Sequence, residues 1–512
     1  MKILWQSVAP WYPTGYGNIT AIVCKILQEL GHDVKISAYY GLRDGGFLKW
    51  RGIPVHPAEK DWGAPMTKRY FDKFESDICI TNQDIWTLPD GYGNNFVWHP
   101  YFPVDHTPIP PAVLSELRYA RKPIVYSKHA VGELWKQSLD CYYIPIAFDT
   151  DVYRPDKEHI FKIGNPGDFI IGSVGNNMGP RKNLAGALQA FATFHKRHPD
   201  SFMYCHTNPD GYRLGDIDLV RLGNDLGIQD FIMYPDRAEY DEGFFTDDWM
   251  RQMYNTFDVF LHPSKGEGFG MPIIEAQACG IPVIITDGTA MTELFGAGWL
   301  LKDTKPEWTY QSAWQHEPSQ ECILAALEEA YEMKQKGTLG TLVEPSRKKA
   351  LEYSRPIVKQ MWKEVLEDID LHLHDPLNLE GVLTARLNLI PMECEPKKVL
   401  DLGSGVTMPY KKHLKRLGEY VAVDIKGGPG IIQADASRLP FKDQEFGYVW
   451  CSEVLEHSDD PMAIVNEAKR VGVHGLITFP TPLSPDFSLD PEHKEVEFDC
   501  PIDAYGNGLI IW

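Results

Sequence analysis

The chain has 512 residues, 43% hydrophobic and 24% charged, too long for one ordinary core and suited to about three domains of roughly 150 residues. Its 50 Lys and Arg against 71 Asp and Glu leave a net charge of −21, which argues against nucleic acid or an anionic membrane as the main partner. Nine scattered cysteines without a Cys-x-x-Cys pair, no apolar run of membrane-spanning length and no signal-peptide pattern after Met1 point to a reduced, cytoplasmic protein, with peripheral membrane contact left open.

Apolar runs of strand length alternate with helical patterns throughout, the signature of α/β layers. Lys2–Val8 is predicted as the first strand. A glycine loop, Pro13-Thr14-Gly15-Tyr16-Gly17, follows it, then a helix near Asn18–Leu30 that Gly31 stops. Val34–Ala38, Ile78–Thr81, Phe96–Trp98 and Ile124–Tyr126 continue the strands. Ile144-Pro145-Ile146 leads into a connector over Phe148–Pro155. A second unit opens with Phe169–Val174 and continues with strands Phe202–His206, Phe231–Tyr234, Val259–His262 and Pro282–Thr286. Helices at about Glu321–Lys336 and Ser346–His372 close it. A polar stretch with Pro376 and Pro391 then separates a third unit, which opens with Lys398-Val399-Leu400-Asp401-Leu402-Gly403-Ser404-Gly405. The expected domains are 1–160, 161–375 and 390–512.

The strongest local signal is Lys265-Gly266-Glu267-Gly268-Phe269-Gly270-Met271-Pro272-Ile273-Ile274-Glu275-Ala276. Pro272 suits the first position of a helix and Gly280 the residue just past its end. The glycines let backbone amides approach a ligand, and a helix N-terminus favours phosphate. Two carboxylates, Glu267 and Glu275, stand beside that anion site and suit hydroxyls. A ligand carrying both phosphates and hydroxyls is a sugar nucleotide.

Glu267 and Glu275, with seven residues between them, resemble the E-x7-E motif of retaining GT-B glycosyltransferases of the family 4 type. Gly15-Tyr16-Gly17, Tyr101-Phe102-Pro103-Val104-Asp105, Tyr126-Ser127-Lys128-His129, Ile144–Asp151 and Arg181-Lys182-Asn183 resemble further blocks of that family, over about residues 1–370. The resemblance implies two Rossmann-like domains in a GT-B arrangement, the first taking the acceptor and the second the nucleotide-diphosphate sugar. It implies that the final helix crosses back onto the first domain. Arg181 and Lys182 would clamp the diphosphate and neutralise the leaving group with no metal required. Glu275 would hold the ribose hydroxyls and Glu267 would face the donor sugar. Gly15 and Gly17 would approach the phosphates, and backbone groups of Phe269, Gly270 and Met271 would bond sugar or phosphate. His99, at the end of its predicted strand, would be the histidine nearest the reacting sugar, or an interdomain hydrogen-bonding residue. Retention would follow from same-face attack through an ion-pair-like transition state, on a glycan or small-molecule acceptor.

Blander readings stand beside these. Glu267 as a solvated loop carboxylate, Glu275 as a helix-start dipole partner and Arg181-Lys182 as a basic cluster before a helix are the alternatives. Asp149-Thr150-Asp151 has a metal-binding form but reads as a turn in the connector. Asp370, His372, His374 and Asp375 read as a polar helix end. Trp62, Trp86 and Tyr101 suit either stacking on a sugar or packing.

In the third unit, Asp401-Leu402-Gly403-Ser404-Gly405 follows a first strand. Tyr420-Val421-Ala422-Val423-Asp424 puts an acid at the end of a second, Ala434-Asp435-Ala436 follows, and Phe446–Cys451 leads into Ser452-Glu453-Val454-Leu455-Glu456-His457. This ordered set resembles class I S-adenosylmethionine-dependent methyltransferases. The resemblance implies Asp401, Gly403 and Gly405 around the methionine end, Asp424 on the ribose and Asp435 on the adenine amine. Ala436 would flank the adenine, with Ser452 and Glu453 near the methionine end. The third glycine of the usual turn is absent, with Val406-Thr407 in its place. Only about residues 480–512 follow the predicted fifth strand, Gly475–Phe479, so a shortened Rossmann-like sheet is one expectation. The combined reading is a sugar transferase joined to a methyltransferase acting on the same product. The alternatives are a non-catalytic methyltransferase-like domain or a glycan-binding scaffold with decayed sites.

Overall fold

From Ile3 to Ser7 the first strand, Lys2–Ser7, is buried without alternation, the pattern of a central parallel strand covered on both faces. The computed structural model describes residues 1–512 apart from 43–45, 59–60, 138, 157–161, 211–214, 374–397, 405–413, 416–417, 453, 481–506 and 512. The chain forms two compact units, residues 1–136 with 141–370, and residues 137–140 with 371–512. Pro376, Pro391, Val406 and Thr407, all used in the sequence reading, lie outside the described residues.

Among the described residues the first unit holds two large sheets and a two-stranded hairpin. One runs in the order Leu48–Trp50, Ile53–Pro57, Asp33–Ala38, Lys2–Ser7, Ile78–Asn82, Trp98–Phe102, Ile124–Val125, Tyr142–Tyr143, parallel except for the edge strand Leu48–Trp50. The other is parallel throughout, in the order Ile232–Met233, Ser201–His206, Phe169–Val174, Val259–His262, Val283–Thr286, Gly298–Leu301. Its core packs Phe169, Ile171, Leu261 and Ile284 from the strands against Leu188 and Phe191 of helix Leu184–His195 and Leu327 of helix Gln320–Gln335. A hairpin, Thr304–Trp308 with Trp314–Pro318, was not foreseen in the sequence.

Several predicted boundaries move. The first helix begins at Gly15 and runs to Glu29, because Thr14 is extended and its hydroxyl accepts the Gly17 amide as an N-cap. Gly15 and Gly17 therefore belong to the first helical turn and not to a loop. The strand predicted at Phe96–Trp98 is Trp98–Phe102. The single helix expected over Ser346–His372 is two, Val343–Leu351 and Arg355–Leu373. Between them the connector docks: the Phe148 amide donates to Tyr353 O at 3.2 Å, and the Arg355 amide donates to Phe148 O at 3.1 Å. The second of these helices packs across the first sheet. Buried Trp362 meets Trp5 and Tyr101 edge-on, with ring centroids 6.3 and 5.2 Å apart, and Arg355 and Lys359 both pair with Glu29. Tyr101 is thus a core residue and not a sugar platform.

The second unit has one sheet, in the order Ile431–Gln433, Glu419–Asp424, Lys398–Leu402, Phe446–Ser452, Gly472–Pro480, Asn507–Ile511. The first five strands are parallel, and Asn507–Ile511 closes the edge antiparallel to Gly472–Pro480. Leu400, Val423, Val449 and Ile477 form its core with Ile464 and Ala468 of helix Pro461–Val471.

Candidate functional site

Strand order reverses at Lys2–Ser7 in the first sheet and at Phe169–Val174 in the second, and ligands of open α/β sheets bind beyond the carboxyl ends of strands at such points. Phe169–Val174 leads to a 3-10 turn, Pro180–Lys182. Val259–His262 leads through residues 263–270 to helix Met271–Ala278. Both connections end on one carboxylate. Buried Glu267 accepts from Arg181 Nη1 at 2.9 Å, from Lys182 Nζ at 2.5 Å and pairs with His262 Nε2 at 2.9 Å. Burial opposes its charge, but Lys182, Arg181 and His262 together hold Glu267 well below the usual carboxylate range. The Lys265 amide donates to Arg181 O at 2.8 Å, which ties the two connections by backbone as well.

The first sheet reaches the same cluster through Asp105, three residues past strand Trp98–Phe102. Asp105 Oδ2 lies 3.6 Å from Arg181 Nε, and its Oδ1 lies 2.7 Å from His106 Nδ1. The hairpin fixes this segment: Thr107 and Trp314 exchange two backbone hydrogen bonds, at 3.0 and 2.8 Å, and the His316 amide donates to Lys265 O. Asp84, beyond strand Ile78–Asn82, is pushed up to about 6 by burial and by the charge of Asp105, and it bonds Tyr16. Asp84, His106 and His262 were not singled out in the sequence. The available signal was position, since each lies at or just past the carboxyl end of a strand.

His99 is not part of this cluster. It is the second residue of its strand, in register with Ile80 near the amino end, and its Nδ1 lies 2.9 Å from Lys122 O. Burial pushes its imidazole down to about 4. The expectation of a histidine beside the reacting centre is corrected for His99, which is buried at the amino end of its strand; His106 is the histidine that lies against Asp105.

The motif glycines have a different reason from the expected ligand approach. A Cβ on Gly266 would lie 2.3 Å from Asp105 O, and one on Gly268 would lie 2.0 Å from Pro103 Cβ. Their missing side chains admit the first sheet's loop. Gly17 likewise makes room within its own loop, since a Cβ there would lie 2.1 Å from Tyr12 O, while Gly15 meets nothing within 4 Å. Gly270, at φ +107°, precedes Met271, and no side chain caps the helix; Pro272 has no N–H and the Ile273 amide donates to Gly270 O at 2.9 Å, so of these first three residues the Met271 amide is the one left for an anion. Phe269 is buried edge-on to Tyr353. Gly280 takes φ +82° just past the helix, as expected.

Glu275 lies in the second turn of that helix, not the first, and apart from the Glu267 cluster. Its Oε2 accepts from Tyr254 OH at 2.8 Å, and burial pushes its carboxyl up to about 7. The raised value has a definite sign. Between the ordinary value of 4.5 and about 7 the unfolded chain releases this proton while the fold keeps it, so the group costs stability as pH rises through that window. Glu275→Gln is expected to gain stability relative to the unsubstituted protein from pH 4.5 to about 7, by up to about 3 kcal/mol. Denaturant unfolding at both ends of the window measures this, and an unchanged difference contradicts it.

In the second unit, strand order reverses at Lys398–Leu402. Asp401, Gly403, Asp424 and Ser452 gather at or near the carboxyl ends of three neighbouring strands. Asp401 is buried, accepts from Tyr420 OH at 2.5 Å and is pushed up to about 6 by burial. Gly403 takes φ +74° against Val454. Asp424 ends its strand and accepts the Lys426 amide at 2.9 Å. Asp435 and the half-buried Ala436 follow the edge strand, and the Ser437 amide and hydroxyl bind the Asp435 carboxylate at 2.8 and 2.7 Å. Buried Ser452 shares a hydrogen bond with Thr478 at 2.9 Å. Gly405 and Glu453, expected beside them, lie outside the described residues, as do His374 and Asp375. Asp149 Oδ1 accepts the Asp151 amide at 2.9 Å, a turn as expected. Among the described residues no group of three or more His, Cys, Asp or Glu is placed to hold a metal, and no helix is long and apolar enough to cross a membrane.

Residues 168–311 match the family model described as glycosyl transferases group 1, and residues 400–475 match that of a methyltransferase domain. The chain is 32% identical over 127 residues to O-antigen chain mannosyltransferase B of Escherichia coli, covering 25% of this chain and 31% of that protein. It is 27% identical over 148 residues to D-inositol 3-phosphate glycosyltransferase of Acidothermus cellulolyticus, 28% of this chain and 32% of the relative. The chain thus spans about a third of these relatives' length. Sucrose-phosphate synthase of Thermosynechococcus elongatus superposes with TM-score 0.58 at 16% identity, over 72% of this chain and 99% of that one. HepE of Anabaena in complex with UDP and glucose does so with TM-score 0.53 at 17% identity, over 72% and 99%. The likeness is one of fold: two parallel sheets in the GT-B arrangement, followed by a methyltransferase domain.

Proposed function

We propose that this chain transfers a sugar, with retention, from a nucleotide-diphosphate sugar to a glycan or small-molecule acceptor, over domains 1–160 and 161–375. The reading rests on one observation: Glu267 gathers Arg181, Lys182 and His262 at a sheet switch point, beside a helix start with no side-chain cap. A donor diphosphate at that helix would draw Arg181 and Lys182 onto its oxygens. Two fixed cations there stabilise the charge that grows on the leaving phosphate, which supplies the role a metal takes elsewhere. Glu275, facing Tyr254, would accept the ribose hydroxyls. Glu267 would then hold the two cations in place and face the sugar. Relatives that carry mannosyl groups support including a mannosyl donor in the first trials.

Calorimetric titration of the whole chain with uridine, guanosine and thymidine diphosphates tests the donor site. One of them should bind and the others bind more weakly. No binding by any removes the reading. Retention is checked from the anomeric configuration of the product.

For domain 390–512 the proposal is a methyltransferase acting on the same product. S-adenosylmethionine supplies an electrophilic methyl group when bound. The residues present fit it in part: Asp424 stands at the end of the second strand, where it can take ribose hydroxyls, while the carboxylates of Asp401 and Asp435 already hold Tyr420 and Ser437. Asp424→Ala is expected to abolish S-adenosylmethionine binding and leave diphosphate binding unchanged, read by titrating both ligands. Retained S-adenosylmethionine binding removes Asp424 from the site.

A further inference from the structure

The hairpin Thr304–Trp308 with Trp314–Pro318 follows the edge strand Gly298–Leu301 of the second sheet and belongs to neither large sheet. Its pairing sets Trp308 opposite Trp314, Glu307 opposite Gln315 and Pro306 opposite His316. In an antiparallel pair every second residue turns its N–H and C=O away from the partner strand. Trp314 is such a residue: both its backbone groups go to Thr107, at 3.0 and 2.8 Å. His316, two residues on, is another. Its amide donates to Lys265 O at 2.9 Å, and Pro306 opposite it has no N–H to leave unpaired. One strand edge therefore grips two loops. Thr107 belongs to the domain of the first sheet, and Lys265 to the motif loop of the second.

Side chains secure the grip on the motif loop. The Lys265 side chain is 7% exposed, and its ammonium lies 2.5 Å from Glu307 and 3.3 Å from Glu317, one on each strand of the hairpin. A buried ammonium is costly without such partners, so these pairs fix where the hairpin sits. Gly266 lies between the pieces: a Cβ there would be 2.3 Å from Asp105 O and 3.3 Å from Gln315 Nε2. The circuit then closes on itself. Lys265 is two residues from Glu267, Glu267 holds Arg181, Arg181 approaches Asp105, and Asp105 is two residues from Thr107.

The connector and helix Arg355–Leu373 also join the two domains, and the Lys128 amide donates to Glu293 at 2.6 Å. Connectors and helix ends are the places where hinge motion is absorbed, so they permit a cleft to open. The hairpin is a different kind of attachment, made between the loops that carry Asp105 and Glu267. For the domains to part there, Trp314 must release Thr107 or Lys265 must leave its two carboxylates.

We propose that this hairpin is a strap that keeps the two domains closed around the Glu267 cluster before any ligand binds, so that a donor enters a preassembled cleft. The word donor rests on the transfer reading above; the closed state does not.

The test is pulsed electron spin resonance on the whole chain, with spin labels carried by p-acetylphenylalanine at exposed Arg69 of helix Ala64–Lys73 and exposed Gln189 of helix Leu184–His195. Without ligand a single narrow distance is expected, and uridine, guanosine and thymidine diphosphates should leave it unchanged. Trp314→Pro removes an N–H that faces Thr107 and not Trp308, so the hairpin ladder stays while the distances should spread to longer values. Replacing Pro306–His316 by Asn-Gly, a two-residue turn between the paired Lys305 and Glu317, should do the same. Trp314→Phe keeps the backbone pair and should behave as the unsubstituted chain. Where the closed fraction falls to about a tenth, diphosphate affinity should fall about tenfold.

A ligand-free chain with broad, long distances that a diphosphate narrows overturns the proposal, since the ligand then does the closing. So does a narrow, unchanged distance in both strap variants, or undiminished diphosphate affinity in a variant whose domains have parted. Hydrogen exchange of the unsubstituted chain needs no variant: the amides of Thr107, Trp314 and His316 should be protected without ligand, and fast exchange there overturns the strap even where the variants fail to fold. If the distances and the exchange behave as expected and no diphosphate binds, the transfer reading fails and the strap remains.

Discussion

Arg181→Ala is expected to slow sugar transfer by about 10²-fold or more, the size typical of removing one preorganised charge contact at a leaving group. The fold should survive the change. Glu267 keeps Lys182 at 2.5 Å and His262 at 2.9 Å, so its buried carboxylate is not orphaned. Arg181 also loses its approach to Asp105, 3.6 Å away, which loosens the contact between the two sheets' loops. Arg181→Lys should recover only part of the loss. A lysine keeps the charge but cannot reach Gly266 O and Glu267 together as the guanidinium does. Single-turnover kinetics with far-ultraviolet circular dichroism separates the two effects. Full activity in Arg181→Ala removes this residue from the machinery, and a lost fold assigns it to structure instead.

Gly268→Ala is expected to be the most damaging of the small substitutions. Its Cβ would lie 2.0 Å from Pro103 Cβ and 3.0 Å from Pro103 Cα, and the ring of a proline cannot rotate away. One loop must shift, at a cost of about 1–3 kcal/mol for overpacking of this kind. The shift falls next to Glu267, so transfer should drop further than stability does. Gly15→Ala is the contrast. Nothing lies within 4 Å of its Cβ, and alanine is a better helix residue by about 1 kcal/mol. Its stability should hold or rise, and a fall in transfer then reports the donor's own need for space. Unfolding and donor affinity for the two variants, measured side by side, decide this. Equal behaviour of both contradicts the steric account.

Much of this protein was legible in its sequence. Central strands such as Phe169–Val174, with Phe169-Ile170-Ile171 leading, carry short apolar runs because both faces are covered, and that pattern is local. Glu267 was legible from the glycine-proline helix start around it, and Arg181 and Lys182 from the resemblance of Arg181-Lys182-Asn183 to a block of the family 4 glycosyltransferases. Boundaries were less legible, and one of them misplaced a residue: a strand read two residues early at its start and four at its end put His99 at the wrong end of its sheet.

The sequence by itself determined the α/β class, the succession of three α/β units and the helix start beside Glu267, since strand periodicity and glycine-proline punctuation act over a few neighbouring residues. Only the tertiary structure decided what those residues face. Gly266 and Gly268 answer to Asp105 and Pro103, Trp362 answers to Trp5 and Tyr101, and the edge of strand Trp314–Pro318 answers to Thr107 and Lys265. Contacts between segments so far apart depend on how the sheets pack, and no local pattern of side chains carries that information.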